Sequence, residues 1–327
     1  MCFRRLTAAL LLTCGALLWA IGVPAMAAEQ KPAKAAAAAA AQKPAKPAIE
    51  VLRTCTECHD KTEPPVLPML RSKHGVMADK RTPFADKACV TCHGASEQHI
   101  KNLDPPDVTF RAKTATSEQK EKMNEVCISC HQGGIRMHWA GSTHQSRDLA
   151  CSSCHKAHAQ QDPVRDRQTQ REVCFNCHKE QRAQTFRAST HPLRAGKIAC
   201  SDCHNPHGST GPKLLVKNTV NETCYTCHAE KRGPFLWEHP PVTDNCTNCH
   251  TPHGSNNTPL LKTRLPYLCQ QCHVTATGHP ATLYSGTGLP PSAGGTTAAQ
   301  QLLLKACENC HSQIHGSNHP SGARFNR

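Results

Sequence analysis

The five-residue pattern Cys-x-x-Cys-His occurs ten times between residues 55 and 311. The cysteine pairs are Cys55 and Cys58, Cys89 and Cys92, Cys127 and Cys130, Cys151 and Cys154, Cys174 and Cys177, Cys200 and Cys203, Cys224 and Cys227, Cys246 and Cys249, Cys269 and Cys272, and Cys307 and Cys310. The histidines that close them are His59, His93, His131, His155, His178, His204, His228, His250, His273 and His311. This is the attachment site of a c-type haem, in which two thiols bond the porphyrin vinyl groups and the adjacent imidazole reaches the iron. Zinc sites also use Cys-x-x-Cys pairs, but they need two such knuckles per ion and no histidine directly after every second cysteine. Disulfides suit an exported chain, yet they too leave ten adjacent histidines unexplained.

The motifs exclude an ordinary core. Twenty of the 22 cysteines lie in them, and the other two, Cys2 and Cys14, fall in an N-terminal leader. About 300 residues after position 27 serve ten motifs, roughly thirty each, well below a self-sufficient hydrophobic domain. Aromatic residues are only 4%, and Pro and Gly together number 43. The expected fold is therefore a multihaem cytochrome c: mostly short α-helices and loops wrapped around ten covalent haems, little or no β-sheet, and elongated. The formal charge of +14 does not point to nucleic acid. Loss of Arg4 and Arg5 with the leader lowers it to +12. Ten oxidised haems then bring the total to about +2 and ten reduced haems to about −8, because each carries two propionates. The basic surplus reads as counter-charge for haem carboxylates.

Residues 1–27 read as an export signal, with Arg4 and Arg5, an apolar run from Leu6 to Val23, and Ala25-Met26-Ala27 as a small-residue cleavage site after Pro24. The competing reading is an uncleaved anchor. Residues 28–48 are a low-complexity Ala/Lys/Pro segment expected to be flexible, and the stretch from Ser285 reads as a surface loop. Residues 49–327 form the expected decahaem domain, built from five two-haem units at about 49–126, 127–173, 174–223, 224–268 and 269–327. Export suits the motifs, since bacteria attach c-type haem outside the inner membrane.

The units come from an alternation. After one kind of motif a second histidine follows closely: His99, His158, His207, His253 and His315. After the other it comes later: His74, His144, His191 and His239, with His279 shortened. These ten are the expected second ligands, giving ten covalent haem c groups with bis-histidine iron. His138 and His319 are left over, His319 competing with His315, which is preferred because His-Gly-Ser also occurs at His207 and His253. Only Met69, Met77, Met123 and Met137 follow the leader, so methionine ligation could serve few irons. A three-residue offset such as His204 to His207 reads as one face of a turn, so His207 and its equivalents are expected to bind a haem other than that of their own motif, lacing successive haems together. An iron closed on both faces suits electron transfer rather than catalysis, and no catalytic residues are expected.

The segments CSDCHNPHGS, CYTCHAEKRGPFLWEHPPVT, CTNCHTPHGS, LLKTRLPYLCQQCH and CENCHSQIHGSNHPSG resemble the periplasmic decahaem cytochromes of Mtr-type porin–cytochrome conduits. These occur in metal-respiring and iron-oxidising bacteria, with relatives in extracellular dimethyl sulfoxide respiration. The resemblance covers about residues 50–327 and is strongest after 120. It implies a row of haems threaded through an outer-membrane β-barrel porin, bis-histidine ligation, and exchange with periplasmic or inner-membrane c-type cytochromes. A surface multihaem cytochrome, or extracellular iron or mineral, stands at the far end. The Ala/Lys/Pro segment departs from the family pattern. The expected function is an electron-transfer conduit, located in the periplasm and associated with the outer membrane. The alternatives are a soluble periplasmic carrier or a cytochrome subunit for a terminal reductase such as dimethyl sulfoxide reductase, and, further off, a multihaem reductase enzyme.

Overall fold

The computed structural model describes residues 47–60, 66–273, 307–320 and 322–325. The expected export signal, all but the last two residues of the Ala/Lys/Pro segment, the loop after Ser285 and His279 lie outside these residues.

Every described helix is short, and the motifs decide where helices occur. In a helical turn, residues i, i+3 and i+4 share one face, so Cys-x-x-Cys-His wound as a turn turns both thiols and the imidazole to one side. The turn is closed by the histidine N–H donating to the first cysteine's carbonyl, at 2.9–3.1 Å in the eight motifs from His131 to His311.

Two classes of turn emerge. The first, third, fifth, seventh and ninth motifs sit at the C-terminal end of a helix: Ala48–His59, Ser117–Ile128, Gln170–Phe175, Val220–Tyr225 and Tyr267–Gln270. The others open a single turn of their own: Cys89–His93, Cys151–Cys154 and Cys200–Cys203 are α-helical, and Cys246–Asn248 and Cys307–Asn309 are 3-10. The long-offset motifs thus end helices and the short-offset motifs begin them.

Local capping explains the starts. At Ser117–Ile128, Thr116 and Gln119 form a reciprocal capping box, with the Thr116 N–H donating to Gln119 Oε1 at 2.9 Å. In the one-turn helices a residue between the two cysteines does this work. Asp202 accepts from the Ala199 N–H at 2.9 Å, and Ser153 from the Ala150 N–H at 3.2 Å. Each satisfies an amide that the turn itself leaves unpaired.

Among the described residues there is no named strand. Five isolated antiparallel bridges occur, and they repeat: His204 with Leu215 is matched by His250 with Leu261, and Ser189 with Ser255 by Trp237 with Ser317. Apolar burial is thin. One cluster holds Met69, Phe84 and Ala88, with Val51, Leu52 and Cys89 packed against it. A second holds Val108, Met123 and Ala150. Two of the four candidate ligand methionines are therefore core residues, while Met77 and Met137 are exposed. No described helix is long and apolar enough to cross a membrane.

Candidate haem sites

The first cysteines of consecutive motifs meet in pairs. Hydrogen bonds join the thiols of Cys55 and Cys89, Cys127 and Cys151, Cys174 and Cys200, Cys224 and Cys246, and Cys269 and Cys307. In three pairs the accepting thiol, Cys55, Cys200 or Cys246, is drawn down to about 7 by that bond. Second cysteines continue the ladder to the next pair, as Cys92 lies near Cys127 and Cys130, Cys154 near Cys177, Cys203 near Cys227 and Cys249 near Cys272. The motif cysteines form no disulfides. Among the described residues no three His, Cys, Asp or Glu side chains converge as a bare metal-ion site.

Buried amides clamp the central pairs, a feature sequence reasoning missed. Asn124 Oδ1 accepts from the Cys151 N–H at 2.8 Å, Gln170 Oε1 from the Ser201 N–H at 3.0 Å, and Asn221 Oδ1 from the Cys246 N–H at 2.7 Å. The amide nitrogens donate to carbonyls of the same partner segments or of nearby loops: Leu149, Val164, and both Val242 and Thr243. All three amides are at most 9% exposed. The available signal was a polar amide three or four residues before Cys127, Cys174 and Cys224, in NEVC, QREVC and NETC.

Nine histidine pairs follow. Each sets one motif histidine against one of the proposed second ligands, with ring centroids 5.9–6.3 Å apart: His59 and His99, His131 and His74, His93 and His158, His178 and His144, His155 and His207, His228 and His191, His204 and His253, His273 and His239, and His250 and His315. Two imidazoles bound to one metal at about 2 Å place their centroids about 6 Å apart. The donor set therefore fits an iron between each pair, with the attachment cysteines beside it.

The pairing obeys a rule. For the third, fifth, seventh and ninth motifs the partner follows the motif two places earlier; for the second, fourth, sixth and eighth it follows the motif two places later. Among these nine pairs only that of His59 draws its partner from the adjacent motif, through His99. The lacing thus joins alternate motifs rather than successive ones, and crosses each boundary between the two-haem units twice. Nor is the three-residue offset a helical spacing. Helix Cys200–Cys203 stops before His204, whose backbone is extended (φ −118°, ψ 140°), and this extension lets His204 and His207 face different partners. His138 and His319 are exposed and enter none of the nine pairs.

Hydrogen bonds fix ring orientation. A carbonyl can only accept, so an imidazole bonded to one through Nδ1 carries its proton there and leaves Nε2 for a metal. Among motif histidines, His93 donates to Val108 O at 2.9 Å, and His204 and His250 to Lys213 O and Pro259 O at 3.0 Å. His311 donates to Arg324 O, and His155 bonds the Asp162 carboxylate at 2.6 Å. Among the partners, His99 donates to Asp104 O at 2.7 Å, His144 to Pro206 O and His191 to Pro252 O at 2.8 Å, and His239 to Ile314 O at 3.1 Å. The last three acceptors directly precede His207, His253 and His315. One carbonyl thus ties the long-offset ligand of one pair to the short-offset ligand of another.

The glycine of His-Gly-Ser makes this approach possible. Gly208, Gly254 and Gly316 all have positive φ (106°, 145° and 131°). A Cβ would lie 2.1 Å from His138 O at Gly208, 2.1 Å from Gln184 O at Gly254, and 2.2 Å from the Phe235 ring at Gly316. At Ser255 and Ser317 the backbone then bridges Ser189 and Trp237, two residues before His191 and His239. Burial first, and neighbouring imidazoles next, press His158 and His253 below the ordinary histidine range and take His207 down to about 4, while burial and then the Lys231 ammonium lower His315. These rings are neutral at pH 7, the form that ligates.

The chain is similar to known cytochromes. A doubled Cys-x-x-Cys-His family model matches residues 191–233 and 239–278, and an NrfB-like c-type cytochrome model matches 89–171. The multiheme cytochrome MtrA of Shewanella baltica is 49% identical over 275 residues, covering 84% of this chain and 80% of the relative. The c-type protein NrfB of Haemophilus influenzae is 34% identical over 120 residues, covering 33% of this chain and 52% of that protein. NrfB of Escherichia coli is 27% identical over 145 residues, covering 42% and 72%.

Proposed function

Since this chain belongs to the family of multihaem cytochromes that includes MtrA, we propose that it carries ten haems, each closed on both faces by histidine, and conducts electrons along them between the periplasm and the cell surface. It is an electron-transfer multihaem c-type cytochrome. Bound haem supplies the one-electron iron couple; the chain binds, orients and spaces the sites. The nine histidine pairs at 5.9–6.3 Å are the observation that carries the ligand assignment. In it the motif histidines are proximal, and His74, His99, His144, His158, His191, His207, His239, His253 and His315 are distal. By elimination His279 is assigned opposite His311. Closure at both faces argues against an open catalytic iron.

The setting proposed is the periplasm, with an outer-membrane β-barrel as sheath and c-type cytochromes as exchange partners. A sheath lets a chain whose described helices are all too short to span a bilayer carry electrons through one. Extracellular iron or another metal is the proposed terminal partner, and the driving potentials of the partners set the direction. Co-purification with an outer-membrane barrel is expected; recovery only in the soluble periplasm would favour a free carrier. For the ligands, the holoprotein is expected to be wholly low-spin. His207→Ala should convert one haem in ten to a high-spin, carbon monoxide-binding form, while His138→Ala and His319→Ala leave all ten unchanged. The reverse pattern would overturn the assignment.

A further inference from the structure

The short-offset motif histidines share one hydrogen-bonding design with a single exception. His93, His204, His250 and His311 donate from Nδ1 to a peptide carbonyl. His155 instead bonds the carboxylate of Asp162, with Nδ1 2.6 Å from Oδ2. The difference lies in the following loop. After His204 and His250 the acceptor is nine residues on, at Lys213 and Pro259, and the bridges to Leu215 and Leu261 hold the loop in place. Nine residues after His155 is Val164, whose carbonyl is taken by Gln170 Nε2 at 2.9 Å. Asp162 fills the gap. Its Oδ1 accepts from the Lys156 N–H at 3.2 Å and the Val164 N–H at 3.4 Å, which fixes the carboxylate and leaves Oδ2 for His155. Its side chain is only 18% exposed, so solvent weakens the contact little.

We propose that Asp162 is a positioning residue that sets the electronic character of the fourth haem site, giving it a lower reduction potential than its counterparts at His204 and His250. A carboxylate draws the Nδ1 proton more strongly than a peptide carbonyl does. The imidazole becomes more basic and a stronger donor at Nε2, which favours the more positive, oxidised metal. An electron placed at this site then stands higher in free energy than at the His204 and His250 sites. The wire then has a step that its attachment motifs do not encode. This inference rests on the reading that His155 and His207 hold one iron.

The test is a spectropotentiometric titration of the complete ten-haem protein and its Asp162→Asn variant, with haem content and spin state recorded alongside. One of the ten reductive steps is expected to move upward, with its equilibrium constant changed about tenfold, equivalent to about 59 mV for one electron. Asp162→Glu is expected to restore it. Asp166→Asn, which neutralises a nearby carboxylate whose oxygens hold Gln161 and the Gln168 amide, is the charge control. If Asp162→Asn stays fully low-spin and shifts no step beyond that control, the inference fails while the ligand reading stands. Loss of low-spin character in Asp162→Asn that Asp162→Glu does not restore would reduce Asp162 to a structural residue and also overturn it. A high-spin site in the wild type would instead sink the ligand reading beneath it.

Discussion

Residues 47–126 and residues 217–268 each bring two first cysteines into hydrogen-bond contact, but with different materials. In the first region, helix Ala48–His59 and the turn at Cys89 are held by the apolar cluster of Met69, Phe84 and Ala88. In the second, the side chain of Asn221 spans from helix Val220–Tyr225 to Cys246, Val242 and Thr243 with three hydrogen bonds of 2.7–3.0 Å. The spacing explains the choice. Between the cysteines at 55 and 89 lie three further short helices, Leu67–Arg71, Lys73–Gly75 and Pro83–Asp86, while those at 224 and 246 are only 22 residues apart. So short a segment cannot enclose a core, and a directional amide replaces it. An apolar cluster holds two turns together; the amide also fixes their register, because its donors and acceptor fit one arrangement.

The largest expected effect breaks the first mode. Phe84→Ala removes a side chain only 2% exposed and should cost about 3–5 kcal/mol. Hydrogen exchange on the holoprotein should show protection lost across 47–126 and kept across 217–268. Uniform loss would mean that the regions do not stand independently. Asn221→Ala should cost less, about 1–3 kcal/mol, because it strands the Cys246 N–H and two carbonyls. Its exchange signature should be the mirror image, confined to 220–250. The smallest effect concerns acid. Hydrogen bonds from Arg81 lower the half-buried Asp79 carboxyl from 3.8 to about 2. A depressed carboxyl contributes stability that is present above its unfolded pKa and is lost as pH falls through the folded one. That loss falls between about pH 4 and pH 2 in the first region alone. Asp79→Asn should abolish this component of the acid transition of residues 47–126, seen by comparing acid midpoints, and leave 217–268 untouched.

Several features were open in the sequence and others were not. The alternation of long and short offsets corresponds to helix-ending and helix-starting turns, since a motif's place in its helix is set by residues a few positions away. The His-Gly-Ser repeats at His207, His253 and His315 were visible, but not the reason for the glycine. That reason is a carbonyl or ring belonging to another segment, 2.1–2.2 Å from where a Cβ would stand. The buried amides Asn124, Gln170 and Asn221 were overlooked because a polar residue on a short helix ordinarily reads as solvated. The skip of one motif in the lacing was also hidden, as was the carboxylate on His155.

The sequence by itself determined the ten attachment turns and their two classes, because two thiols and an imidazole at i, i+3 and i+4 need only one turn of backbone to share a face. Which imidazole faces which was decided by the tertiary structure. The members of the nine pairs lie 34 to 65 residues apart in sequence, with other histidines between them. A neutral ring with a free Nε2 is chemically the same at every position, so its partner is chosen only by the carbonyls, glycines and amides that folding brings around it.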